Sequence, residues 1–215
     1  MRLLGRVVVL GAAVEVVAWV LATAQRPGSW RYNISALYAA GAPRPALVMA
    51  GEAAFAIALA ALALGLHRTL PAGDHQIIGC WLLVVASAGA TAGALARNSC
   101  EESVPACEGR SFATSADWVH GIGGLLEILG IAGAALVLAV ALPRPWSTYS
   151  ALTGSAALVA VLLSDAVPSP WVGTAQRVMA LILVGWTAAL GSRVASAGPL
   201  DQPALAVIPV RSPAG

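Results

Sequence analysis

The chain contains no lysine, and charge of either sign is scarce: 12 basic residues, all arginine, and 10 acidic ones in 215 positions. Charged residues make up 10%, where a soluble domain carries about 25%. The net charge of +2 is spread thinly, which excludes a basic surface for nucleic acid. Histidine and cysteine occur only 3 times each. What is abundant is apolar sequence, at 59% hydrophobic residues and a mean hydropathy of +0.81. The core of a soluble fold does not absorb that much. A membrane does.

A helix rising about 1.5 Å per residue needs about 20 apolar residues to cross roughly 30 Å of hydrocarbon. Six stretches qualify: Leu3–Ala24, Pro45–Leu66, Gln76–Ala96, Asp117–Leu142, Tyr149–Val167 and Trp171–Ala195. They predict an all-α polytopic membrane protein, a bundle of six transmembrane helices, over residues 1–195. Residues 196–215, "SAGPLDQPALAVIPVRSPAG", are rich in proline and small residues and are expected to form a disordered tail. The first stretch ends in Ala22-Thr23-Ala24, a pattern that also suits signal-peptide cleavage. Its length and its central Glu15 favour a retained helix.

With the N-terminus in the cytoplasm, Arg2, Arg6, Arg68, Arg144, Arg193 and Arg211 fall inside, while Arg26, Arg31, Arg44, Arg97 and Arg110 fall outside. That is a weak positive-inside bias. Cys100 and Cys107 point the same way. They lie in the third connection, which this orientation places outside the cytoplasm, where a disulfide between them persists. The expected setting is therefore a bacterial cell membrane, with both termini cytoplasmic.

That third connection, "RNSCEESVPACEGRSFATSADWVH", holds four of the ten carboxylates and leads straight into helix four. Asp117 and His120 are three residues apart and share a helix face. Glu127 continues the stripe about 10 Å deeper. Glu52 in helix two, Asp165 near the end of helix five and Arg177 in helix six bring further ionisable groups to the same half of the bilayer, and Glu15 sits mid-helix in helix one. Charge at such depth is costly unless it faces an interior or a cavity. Arg177 is therefore expected to face inward and to pair with Asp117, Asp165 or Glu52. "GAAVEVV" and "GGLLEIL", in helices one and four, each place a glycine four residues before a glutamate and hint at an inverted repeat. Trp19, Trp30, Trp118, Trp146 and Trp171 read as interfacial belt residues.

The chain resembles the multi-pass membrane family called domain of unknown function 998. The likeness rests on "YNISALYAAGAP", on "DWVHGIGG" and on "GTAQR", Gly173 to Arg177. It implies six helices with these motifs on one side of the membrane. It also implies that Asn33, Ser35, Asp117, His120, Gln176 and Arg177 are characteristic polar positions. It implies no activity.

Two function classes follow. The first is a binding or transport protein whose outward-facing cavity, formed by Glu52, Asp117, His120, Glu127, Asp165 and Arg177 with Asn33 and Gln176, takes a membrane lipid or small polar solute. In it Arg177 would meet an anionic group and the carboxyls would set selectivity or carry protons. The second is a membrane-embedded metal-dependent hydrolase acting on lipid, with His120 and acids around a metal and Ser35, Ser111 or Ser115 assisting. His67 and His75 fall on the cytoplasmic side. That leaves one histidine where catalytic zinc usually has two or three, so the residues lean away from an enzyme. No cofactor, metal site or particular protein partner is indicated.

Overall fold

The computed structural model describes residues 1–26, 28–100, 107 and 112–196, without the side chains of Asp165 and Ser169. Within them the chain forms six α-helices and no strand: α1 Arg2–Ala24, α2 Pro45–Thr69, α3 Asp74–Leu95, α4 Ser115–Ala141, α5 Trp146–Leu162 and α6 Val172–Ser196. A helix satisfies its own amides and carbonyls, which hydrocarbon cannot do, so apolar runs of this length adopt that form. Five of the six are long and apolar enough to cross a membrane, and α5, with 17 residues, is the shorter one. The protein is a helical membrane bundle.

Each helix packs on the next in chain order, and α6 returns to lie against α1, with Gly5 of α1 beside Gly191 and Ala195 of α6. Both described ends of the chain therefore lie at one end of the bundle, the terminal end. The connections α1–α2, α3–α4 and α5–α6 lie at the other, the loop end. Between apolar helices in an apolar solvent, close packing of small residues supplies the attraction. The α3–α4 contact shows this most plainly. A Cβ on Gly123 would sit 2.8 Å from the Gly89 carbonyl oxygen, so neither glycine of the pair accepts a side chain.

The seam between α5 and α6 is the thinnest between ring neighbours. Near the terminal end it is held where the buried Trp186 indole donates to Ser150 Oγ at 2.9 Å. Towards the loop end it loosens, because α5 stops early. The predicted span Tyr149–Val167 is corrected here to Trp146–Leu162. Ser164 Oγ donates back to the Val161 carbonyl at 2.7 Å, and the chain then winds through short 3-10 turns at Ser164–Ala166 and Ser169–Trp171. Pro168 and Pro170 cannot continue a helical hydrogen-bond ladder. Asp165 therefore sits on a turn beyond α5, not on its last helical turn, and its side chain lies outside the described ones. The proposed tail belongs to residues beyond Ser196 that also lie outside the described part.

Trp19 departs from the belt expectation. It is buried, packed with Ile34, Leu37 and Tyr38 under the α1–α2 connection. Trp30, Trp118 and Trp171 are exposed, as interfacial residues should be.

Candidate functional site

The α1–α2 connection folds across the loop end as a strap of two 3-10 turns, Ser29–Arg31 and Ile34–Leu37. Its residues Ile34, Ala36, Leu37, Tyr38 and Ala39 are buried. The "GTAQR" stretch clips this strap to α6. A Cβ on Gly173 would run into the carbonyls of Trp30 and Tyr32, so only glycine lets the strap lie there. Gln176 Oε1 accepts from the Ile34 amide at 2.6 Å. The Arg177 guanidinium is 7% exposed and donates to the carbonyls of Tyr32 (2.8 Å), Gly173 (2.9 Å), Ser29 (3.3 Å) and Trp30 (3.4 Å) and to Thr23 Oγ1 (3.3 Å). Arg177 thus faces inward as expected; of its three expected carboxylate partners, Asp117 and Glu52 are not on it, and the side chain of Asp165 lies outside the described ones. Asp117 and Glu52 are engaged elsewhere. Strap carbonyls that no helix satisfies converge on the fork of donors instead.

Asp117 closes the second connection. Thr114 caps α4 through a capping box in which Asp117 answers with its carboxylate. The same carboxylate accepts from the Thr114 amide and hydroxyl at 2.8 Å each, from the Ser99 amide at 2.6 Å and from Ser99 Oγ at 2.8 Å. Two ends of one loop are tied to one helix start. Cys100 and Cys107 are disulfide-bonded inside that loop, with Cα atoms 5.5 Å apart. Ser111 lies outside the described residues.

His120, one turn on, is oriented by the Ala96 carbonyl, 2.9 Å from Nδ1. The Tyr38 hydroxyl is also near Nδ1, at 3.5 Å, with the rings edge to face. One nitrogen cannot both donate to the carbonyl and accept from the phenol, and the shorter contact prevails. Nδ1 then donates to the Ala96 carbonyl. Burial first, and the carboxyls of Glu52, Glu127 and Glu15 second, hold the Tyr38 phenol well above its ordinary range, so it stays a neutral donor.

Below His120 three glutamates from three helices meet. Glu52 of α2 is the neighbour on which both Glu15 of α1 and Glu127 of α4 act, and all three line one cavity. Glu15 is 6% and Glu52 8% exposed. Glu127 is enclosed by the bundle yet keeps some accessible surface, which is cavity surface. By helical rise these groups lie about 10 to 18 Å from the loop ends of their helices. Glu15 Oε2 is buried and has no hydrogen-bond partner among the described residues.

These groups surround one cavity of about 580 Å³. Of the residues singled out from sequence, Asn33, Glu52, Asp117, His120, Glu127 and Gln176 line it, and so does Ser35. Arg177 is not among the lining residues, its guanidinium being engaged by strap carbonyls. Glu15 lines it and was absent from the expected set. The signal was there: Glu15 and Glu127 occupy the same place in the two Gly-x-x-x-Glu stretches. No group of three or more His, Cys, Asp or Glu among the described residues is arranged to hold a metal ion.

The family described as "Protein of unknown function (DUF998)" matches residues 9–193. The chain belongs to this family. No curated protein and no solved structure matches it. Within this DUF998 protein, the three sequence motifs that carried the resemblance all meet at the loop end, around the mouth of the cavity. Two of them, the strap and the start of α6, serve each other.

Proposed function

We propose that the protein binds a small polar solute or a lipid headgroup in this cavity and carries it through the membrane, as a binding or transport protein and not as a hydrolase. The observation that supports this best is the cavity of about 580 Å³ inside the bundle, with Glu15, Glu52 and Glu127 among its lining residues. The walls add to the case. Phe55, Ile131, Met179 and Leu183 offer an apolar lining around a few convergent polar groups, the usual composition of a ligand site. The loosened α5–α6 seam reaches the same cavity through Ala160 and Val161, giving an amphiphile a lateral way in.

Gly124 provides the test. It lines the cavity, and a Cβ built on it meets nothing within 4 Å. Gly124→Leu should therefore fill the cavity without disturbing helix packing. Full-length protein purified in detergent should carry a bound lipid or solute detectable by native mass spectrometry, and Gly124→Leu should lose it while melting within a few degrees of wild type. An unchanged adduct in a folded Gly124→Leu protein, or no adduct together with no stabilisation by any lipid extract, counts against the reading.

A further inference from the structure

We infer that the ligand is a membrane lipid from the leaflet at the loop end, which enters sideways past the end of α5 and lays one hydrocarbon chain along α6. The inference rests on the binding reading above and selects the lipid over the free solute.

Val172, Ala175, Gln176, Met179, Leu183 and Val184 of α6 all line the cavity, at the spacing of a single helix face. From Val172 to Val184 this stripe runs about 18 Å by helical rise. One leaflet of a bilayer with about 30 Å of hydrocarbon is about 15 Å deep. The stripe therefore follows one leaflet from the loop end to about the middle of the membrane. The helix next to it, α5, is too short to cover it, with 17 residues against 25 and its end at Leu162. Its last turn reaches the cavity at Ala160 and Val161, and its fastening to Trp186 lies towards the terminal end. Across the gap α4 presents Gly121, Gly124, Leu125 and Ile128, again one face of a helix. Leu125 is 50% exposed and Ala175 is exposed too, although both line the cavity. The slot between α4 and α6 thus opens to the outside of the bundle past the end of α5.

Depth decides what can enter there. Ala175 and Leu125 lie about 5 and 15 Å along their helices from the loop end, so the opening faces hydrocarbon, not water. The wall has the same character. Among the described side chains, α5, α6 and the turns between them bring no charge to the lining. Their polar members are committed: Ser164 Oγ donates to the Val161 carbonyl, and Gln176 Oε1 accepts from the Ile34 amide. An alkyl chain gains no hydrophobic energy by leaving the bilayer for this slot, but an empty slot forfeits the dispersion contacts of both its walls. A chain seated in it restores them. Asn33, Asn98 and His120 line the cavity at the loop end, where the headgroup comes to lie once its chain follows α6 inward. A free polar solute satisfies the mouth alone and leaves the stripe bare.

The experiment uses full-length protein in nanodiscs doped in turn with phosphatidylcholine, phosphatidylethanolamine and phosphatidylglycerol, each carrying a diazirine midway along one acyl chain. After illumination, labelled positions are mapped by peptide mass spectrometry. Leu181 of α6 and Leu162 of α5 are exposed and do not line the cavity, so they report the lipid that surrounds any membrane protein. Met179 and Ile128 line the cavity and report the slot. The expected result is label on all four positions with at least one of the three lipids. Gly124→Leu should then remove it from Met179 and Ile128 while Leu181 and Leu162 stay labelled. Ala175→Phe, which fills the stripe nearer the loop end, is the substitute if the first variant does not fold, and melting curves check both. Label confined to Leu181 and Leu162 with all three lipids overturns the inference. So does label on Met179 that persists in a folded variant. If the slot stays unlabelled while the native adduct is present and is lost in Gly124→Leu, the lipid-chain assignment falls and the binding reading stands. If label in the slot and adduct are both missing, both fall.

Discussion

At the scale of single residues, Arg177 shows how far depth and charge alone can be trusted. An unpaired guanidinium about two turns inside a bilayer costs roughly 2.5–3.5 kcal/mol on insertion scales, which justified the expectation that it faces the interior. Asp117 and Glu52 are not its partners, because a fan of backbone carbonyls, invisible in a sequence, takes its donors instead. Those carbonyls belong to Ser29, Trp30 and Tyr32, about 145 positions away along the chain. The consequence is testable. Arg177→Ala would leave several buried carbonyls without donors, each costing about 1–3 kcal/mol, so a loss of at least about 3 kcal/mol is expected. If Arg177 acted as a salt-bridge partner, replacing the acid as well would restore part of that loss. Here it should not: the Arg177→Ala and Asp117→Ala losses should add, and Arg177→Ala with Glu52→Gln should recover nothing. Detergent melting of the singles and doubles decides it, and a double variant more stable than Arg177→Ala alone would contradict the carbonyl cage. Arg177→Lys should fall between, since a point charge cannot reach four carbonyls as a planar fork does.

At the scale of elements, the helices were readable because their lengths answer to a physical thickness. Predicted and observed bounds for α1 to α4 and α6 differ by three residues or fewer. α5 was misplaced because Ala166 and Val167 resume apolar sequence after Ser164 and Asp165. The termination comes from Ser164 and the two prolines, a local hydrogen-bonding matter that a hydropathy window averages away. α4 carries the sharpest contrast within one element. Its adjacent glycines look alike in "HGIGGLLE", yet Gly123 lies against the α3 backbone and Gly124 against open cavity. Sequence offers only the glycine-rich flank, not which glycine does which. Gly123→Leu should therefore be severely destabilising, above the usual overpacking cost of about 1–3 kcal/mol, because the obstruction is backbone that cannot move aside. Gly124→Leu should fold and melt near wild type. Expression yield and detergent melting of the pair check this, and equal losses would mean that the α3–α4 register differs from the one described.

At the scale of the whole molecule, the ring of six helices turns scattered acids into one cluster. Glu15, Glu52 and Glu127 were each identifiable as deep carboxyls, but that they touch depends on α1, α2 and α4 presenting them to a common interior. Ring closure between α6 and α1 decides this, and no periodicity reports it. The ring also links the two ends of the bundle to the two faces of a membrane. Arg68, near the end of α2, and Cys100, in the α3–α4 connection, stand at opposite ends. They must then face opposite compartments whichever way the protein is inserted. Disulfides persist outside the cytoplasm, so the prediction is that the loop end with the cavity mouth faces outward. The test is labelling of intact cells with an impermeant maleimide. With Cys80 and Cys107 replaced by Ala and Ser, Cys100 should label directly. Arg68→Cys in a background without other cysteines should label only after the membrane is permeabilised. The reverse pattern would place the cavity mouth and its carboxyl cluster on the cytoplasmic side and change the compartment from which a ligand is drawn. Labelling of both positions from outside would break the six-helix crossing itself.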